Sequence, residues 1–148
     1  MKVCGVELTG SEAIITLLTL SDGLFDIPDC RQRKFTLSNA DDQEQMQGFQ
    51  FAFRKLMEDY GVNTAVIRQR PHKGKFAGGA VGFKMEAAIQ LIEGLKVELI
   101  SSTEIKEQLK RNPLVIDFRD TGLKKFQEPA FTTAYCYLNK QHYAGEPG

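Results

Sequence analysis

The sequence has no hydrophobic run long enough to cross a membrane and no secretion signal. Its longest apolar run, residues 13–20, is far shorter than the ~20 apolar residues that a spanning helix needs. The amino-terminal stretch MKVCGVELTG carries Glu7 where a signal peptide would need apolar side chains. The sequence therefore predicts a protein with no membrane partner.

Cysteine is also scarce, with Cys4, Cys30 and Cys136 as its three occurrences. Their spacing matches no zinc motif, and an odd number leaves at least one thiol outside any disulfide. We therefore predict reduced thiols and a cytoplasmic location. The sequence also lacks a serine nucleophile elbow. We expect no metal and no other cofactor, with weak binding of magnesium left open.

Neither sign of charge is in excess, because the chain carries 19 basic and 19 acidic side chains. The two halves differ, with 6 basic and 10 acidic residues in 1–60 and 13 basic and 9 acidic residues in 61–148. Residues 60–85 contain no acid at all. This segment holds the basic candidates for binding an anion or nucleic acid, which are Arg68, Arg70, Lys73 and Lys75.

The glycine-bearing stretch GKFAGGAVG, residues 74–82, is neither of the two common phosphate loops. Ala80 and Val81 stand where a Walker A loop requires Lys and Ser or Thr. Its glycines are offset from those of a dinucleotide-binding fingerprint. Two interpretations stay open: an exposed, mobile loop (residues 70–80) that binds phosphate at a helix N-terminus, or a tight turn into that helix.

Hydrophobic periodicity predicts three strands, a helix, a strand, a helix, a strand and two helices. The strands fall at residues 3–8, 13–20, 34–37, 64–69 and 97–101, with a loop at 21–30. Ser38 and Asp41 predict the start of the first helix and Gly61 its exit, Ser101 the start of the third, and Pro129 that of the last. An antiparallel meander followed by βαβ crossovers gives an α/β fold with a five-stranded mixed sheet and helices on both faces. This is the order of the three-layer ribonuclease H-like fold, in a single domain over residues 1–139 with a flexible tail at 140–148.

Most of residues 1–138 resemble a family of small bacterial proteins known as a domain of unknown function. The stretches that carry this resemblance are MKVCGVELTG, GLFDIPDC, FRKLMEDYGV, KGKFAGGAVGFKMEAAIQLI and LKRNPL. This resemblance implies a family but no activity.

The layout is also similar to that of resolvases of the RuvC type, which cut branched DNA. That resemblance implies an acid on the first strand, and GVE places Glu7 there. It implies a second acid at the end of the fourth strand, where IRQ places Arg68 instead. It implies two acids three residues apart near the start of the last helix, where Glu128 is followed by Phe131.

Arginine in this set argues against an ordinary metal-dependent nuclease. Two-metal cleavage needs several carboxylates around a pair of divalent ions, and a permanently charged guanidinium repels those ions. Glu7 and Glu128 remain the candidate catalytic acids, with Asp117 or Asp120 as further possibilities. Alternatively, Glu7 forms a structural ion pair with Arg68 or Arg70.

Two functions therefore remain open at this stage. One is a nucleic-acid-associated protein, binding DNA or RNA, with a degenerate nuclease-type site. The other is a non-enzymatic, homodimeric interaction domain on the same fold, because one fold hosts many functions.

Overall fold

The computed structural model describes residues 1–74 and 78–144, which form six β-strands and four α-helices. The strands are β1 (Lys2–Thr9), β2 (Glu12–Ser21), β3 (Leu24–Asp26), β4 (Lys34–Thr36), β5 (Thr64–Arg68) and β6 (Lys96–Ile100). The helices are α1 (Gln43–Asp59), α2 (Ala80–Gln90), α3 (Ser102–Arg111) and α4 (Glu128–Ala144). Two short 3-10 turns, Phe118–Thr121 and Lys125–Gln127, precede α4.

The strands form one mixed sheet in the order β3-β2-β1-β5-β6, with β4 also paired to β2. Strands β1 to β4 pair antiparallel, whereas β5 lies parallel to both β1 and β6. Because β3 and β4 pair with opposite ends of β2, the described sheet is five strands wide. The predicted mixed sheet is confirmed.

Strand β3 lies inside the segment that we predicted as a loop. Asp22 and Gly23 both have positive φ, at 53° and 78°, which is the geometry of a type I′ hairpin turn. This turn folds β3 back onto the end of β2. An Asp-Gly pair between apolar residues is a hairpin signal, and the prediction overlooked it because Leu24–Asp26 is too short to show alternation.

The four helices cover both faces of the sheet, as predicted. Side chains of β1 and β5 alternate between the two layers, so that Val6 and Ile67 pack with α1 and α2 whereas Val3 and Val66 pack with α3 and α4. This alternation decides which strand residues face the candidate site. No helix within the described residues is sufficiently long and apolar to cross a bilayer.

Two of the predicted helix boundaries need correction. Helix α1 is capped by Asp42, which accepts a hydrogen bond of 3.3 Å from the Glu44 N–H, rather than by the Ser38–Asp41 pair. The cap moves because Asn39 Oδ1 accepts the Asp41 N–H, so residues 39–42 form a turn before the helix. Helix α4 continues past residue 139 to Ala144, and residues 145–148 lie outside the described part of the chain.

Two other signals are confirmed. Ser101 caps α3 by accepting a hydrogen bond of 3.1 Å from the Glu104 N–H. Gly61 has a φ of 65° at the point where the chain leaves α1. Helix α2 ends at Gln90, although apolar residues continue at helical spacing to Ile92 and Leu95. Ile92 still reaches the core from the turn that follows.

Gly5 allows α4 to lie directly against β1. A Cβ atom at this position would overlap the carbonyl oxygen of Ala130 and lie 2.9 Å from the Ala134 Cβ. The close approach brings the first turn of α4 to the carboxyl end of β1. Glycine at this position therefore fixes one wall of the candidate site.

Candidate functional site

A hollow of about 570 Å³ opens where β1 and β5 end beside the start of α4. We call this space the hollow, and it is lined by Glu7, Arg68, Lys125, Phe126, Glu128 and Thr132, among others. The carboxyl ends of parallel strands at a reversal of strand order are a common place for ligands in α/β sheets. In the order β3-β2-β1-β5-β6, the chain continues from β1 to β2 on one side and later adds β5 on the other, so the reversal lies between β1 and β5.

Glu7 and Arg68 face the hollow because of strand register. Val6 is the partner of Ile67 in the parallel β1–β5 pair, and both side chains enter the core under α1 and α2. Successive side chains alternate in direction, so the next residue on each strand faces α4. The resolvase resemblance implies neighbouring positions for Glu7 and Arg68, and the structure places both side chains on the same side of the sheet.

The carboxyl group of Glu7 is in an unfavourable place for a negative charge. Burial raises the pKa of Glu7 above its ordinary value, and the positive charges of Arg68 and Arg70 act in the opposite direction. Neither arginine forms an ion pair with Glu7 in the structure as described. The structural ion pair considered from the sequence is thus not formed as a direct contact.

Glu128 reaches the hollow from the first turn of α4, where its side chain is exposed. Phe131, three residues later, is only 4% exposed and packs against Phe118 at 5.7 Å between ring centroids. Thr132 lines the hollow in its place, since residues four apart share a helix face. The helix therefore presents one acid to the hollow, not two.

The turn before α4 contributes Lys125 and Phe126, which the sequence interpretation missed. Gln127 holds this turn in place from a buried position, with its Nε2 donating to the Ile15 carbonyl at 2.9 Å. Its Oε1 accepts the Lys124 N–H at 3.0 Å. The only sequence signal for these residues was a basic and aromatic run, KKFQ, before the helix.

The basic segment after β5 is less exposed at its start than we predicted. Arg70 is partly buried, and its Nε atom is buried without a hydrogen-bond partner among the described residues. Arg70 lies against Gly78, where an added Cβ would be 2.8 Å from the Arg70 Cβ. Lys73 is exposed, whereas Lys75 lies outside the described residues.

The family model described as "Protein of unknown function (DUF3010)" matches residues 1–137. The chain belongs to the DUF3010 family. No curated protein matches it in sequence.

Solved structures with the same fold include RuvC from Thermus thermophilus, with a TM-score of 0.74, 10% identity and 97% of each chain covered. The same enzyme in complex with a Holliday junction substrate has a TM-score of 0.72 at 8% identity, over 98% of this chain and 97% of RuvC. The Fowlpox virus resolvase, in complex with Holliday junction DNA, has a TM-score of 0.52 at 8% identity, over 99% and 100%. Such low identities show the fold alone, and this DUF3010 protein has the ribonuclease H-like fold of RuvC.

The residues of the hollow do not fit the pair of divalent ions that the resolvase resemblance implies. Within residues 1–74 and 78–144, no group of three or more His, Cys, Asp or Glu side chains is placed to hold a metal ion. Arg68 lines the hollow together with its two acids, Glu7 and Glu128. Because magnesium prefers oxygen ligands, a guanidinium at this position disfavours its binding. Asp117 does not supply a further acid, because it caps a 3-10 turn and bonds to Arg119.

Proposed function

We propose that this protein binds the sugar–phosphate backbone of nucleic acid in the hollow, without two-metal cleavage chemistry. The observation that carries the proposal is the position of Arg68, which faces the same hollow as Glu7 and Glu128. A guanidinium at this position supplies the positive charge that a metal supplies in a two-metal site. It can bind a phosphate directly through two parallel hydrogen bonds.

The charge distribution around the hollow supports an anionic ligand. Lys125 adds a second cation to the lining, and Arg70 is near enough to act on Glu7. Because burial raises the pKa of Glu7, this acid opposes a phosphate less strongly than an exposed carboxylate would. The exposed Lys73 would extend the positive surface along the strand of nucleic acid.

The fold supports DNA as the first ligand to test, because two of the structures that share it are complexes with Holliday junctions. Glu7 and Glu128 remain as the vestige of a nuclease-type site in this proposal. We expect the protein to act in the cytoplasm, in keeping with its free cysteines.

The test is the binding of fluorescent four-way junction, duplex and single-stranded DNA in EDTA at low salt, followed by polarisation. We expect the wild type to bind and Arg68→Gln to weaken binding at least about tenfold, since a charged hydrogen bond is lost. Arg54→Gln is the matched control, because Arg54 is half-exposed on α1, beyond the opposite face of the sheet. Its binding should change less than twofold.

Two results would overturn the proposal. Arg68→Gln could bind as tightly as the wild type, which would remove the hollow from the interface. The wild type could also fail to bind any of the three DNAs or their RNA equivalents at low salt. The homodimeric interaction domain would then be the better account, and sedimentation would show a stable dimer.

A further inference from the structure

Phe126 places an exposed aromatic ring at the edge of the hollow. The side chain is 43% exposed and lines the same space as Arg68 and Lys125. The Lys34 ammonium lies 5.7 Å from the centre of the ring, and Glu12 holds that ammonium at 2.8 Å. An aromatic ring beside cations in a concave site is the combination that proteins use to hold single-stranded nucleic acid.

The ring is held in its exposed position by the turn that carries it. Gln127, the next residue, is 4% exposed and is hydrogen-bonded to the Ile15 carbonyl of β2 at 2.9 Å. The same side chain accepts the Lys124 N–H at 3.0 Å, so both ends of Lys125–Gln127 are fixed. A ring on a fixed turn loses little conformational freedom when a ligand covers it.

We propose that Phe126 stacks on an unpaired base while Arg68 and Lys125 bind the adjoining phosphates. This inference rests on the proposed function and names its substrate class: nucleic acid with unpaired bases, as single strands or at branch points. Bases within an intact duplex already stack on their neighbours and cannot reach a ring at the edge of the site. A single strand offers both its backbone and the faces of its bases.

A single exposed phenylalanine is common on protein surfaces, so the inference needs a matched comparison. Phe51 provides it on helix α1, with 57% of its side chain exposed and the Arg54 guanidinium 5.4 Å from its ring centre. It has the same chemistry as Phe126 but lies away from the hollow, beyond the opposite face of the sheet.

The chain contains no tryptophan, so Phe126→Trp introduces the only indole as a reporter of stacking. The variant is titrated with labelled oligothymidylate, with tryptophan emission and label anisotropy recorded on the same sample. We expect the emission to be quenched as the anisotropy rises, because a base covers the indole. Phe51→Trp should show the anisotropy rise without the quench.

Affinity measurements complete the test with variants that keep the fold. Phe126→Ala should lose about tenfold in affinity for the single strand and less than twofold for a blunt duplex, whereas Arg68→Gln should weaken binding to both. Anisotropy that rises without quenching, or a Phe126→Ala variant of unchanged affinity, overturns the stacking inference and leaves the proposed function standing. Absence of any anisotropy change with oligothymidylate also overturns the stacking inference, and the proposed function falls with it only if the wild type binds none of the other DNAs and RNAs.

Discussion

The packing of α4 on β1 predicts a large effect for Gly5→Ala. The new Cβ would overlap the Ala130 carbonyl oxygen and lie 2.9 Å and 3.0 Å from the Cβ and N of Ala134. Two of these three atoms belong to the backbone of α4, so no side-chain rotation relieves the overlap. The helix would have to move away from the sheet, and a forced shift of this kind costs about 3 kcal/mol.

Urea denaturation followed by circular dichroism measures this change in the free energy of unfolding. A loss of about 3 kcal/mol is a large share of the roughly 5–15 kcal/mol that stabilises a typical domain, so the variant should fold with a lower urea midpoint. It should also bind DNA more weakly, because α4 carries Glu128 and Thr132 into the hollow.

Gly48→Ala is the matched control for Gly5→Ala. Gly48 lies within α1, and an added Cβ would have no atom within 4 Å. Alanine should therefore stabilise the helix by about 0.5–1 kcal/mol, since glycine is a poor helix former. If Gly5→Ala proved as stable as the wild type, the close contact between α4 and β1 would be refuted.

Three further predictions concern the hollow and its support. Burial raises the pKa of Glu7, so the folded state holds this proton at a higher pH than the unfolded state does. The free energy of unfolding of the wild type should therefore fall as pH rises through the range between the unfolded and folded pKa values of Glu7. Urea denaturation at several pH values should show a smaller fall for Glu7→Gln. Glu7→Gln should also bind DNA about threefold to tenfold more tightly at neutral pH by polarisation, because a negative charge beside the phosphate is removed. Gln127→Ala should destabilise the fold by about 1–3 kcal/mol in urea denaturation, since the buried Ile15 carbonyl loses its donor.

The features predicted well from the sequence were those set by local periodicity and by strand register. The shared side of the sheet for Glu7 and Arg68 was predicted from their positions in the resolvase resemblance, and the register of β1 and β5 explains it. The Ser101 cap could also be predicted from the sequence, because capping depends on residues within one helical turn. Strand β3 could not be predicted, because its three residues are too few to show an alternation of apolar and polar side chains.

The parts of the site that depend on distant contacts could not be predicted. Phe126 faces the hollow because Gln127 bonds to Ile15, more than a hundred residues earlier in the chain. Gly5 has a role only because Ala130 and Ala134 lie against it. Arg70 looked like an exposed member of a basic run, and its burial depends on the return of the chain at Gly78.

The central claim is that Arg68 replaces a metal ion as the phosphate-binding group of the hollow. The most direct test is Arg68→Glu, which adds a third acid to the lining of the hollow, compared with Arg68→Gln, which only removes the cation. Each variant is titrated with Mg²⁺ and Mn²⁺ by calorimetry and with DNA in EDTA.

We expect the wild type and Arg68→Gln to show no tight binding of two divalent ions, and Arg68→Glu to gain affinity for them, since three carboxylates would then face the hollow. Both variants should bind DNA in EDTA more weakly than the wild type, whose binding should not depend on a metal ion. Tight binding of two divalent ions by the wild type, or wild-type DNA binding that disappears in EDTA, would contradict the claim.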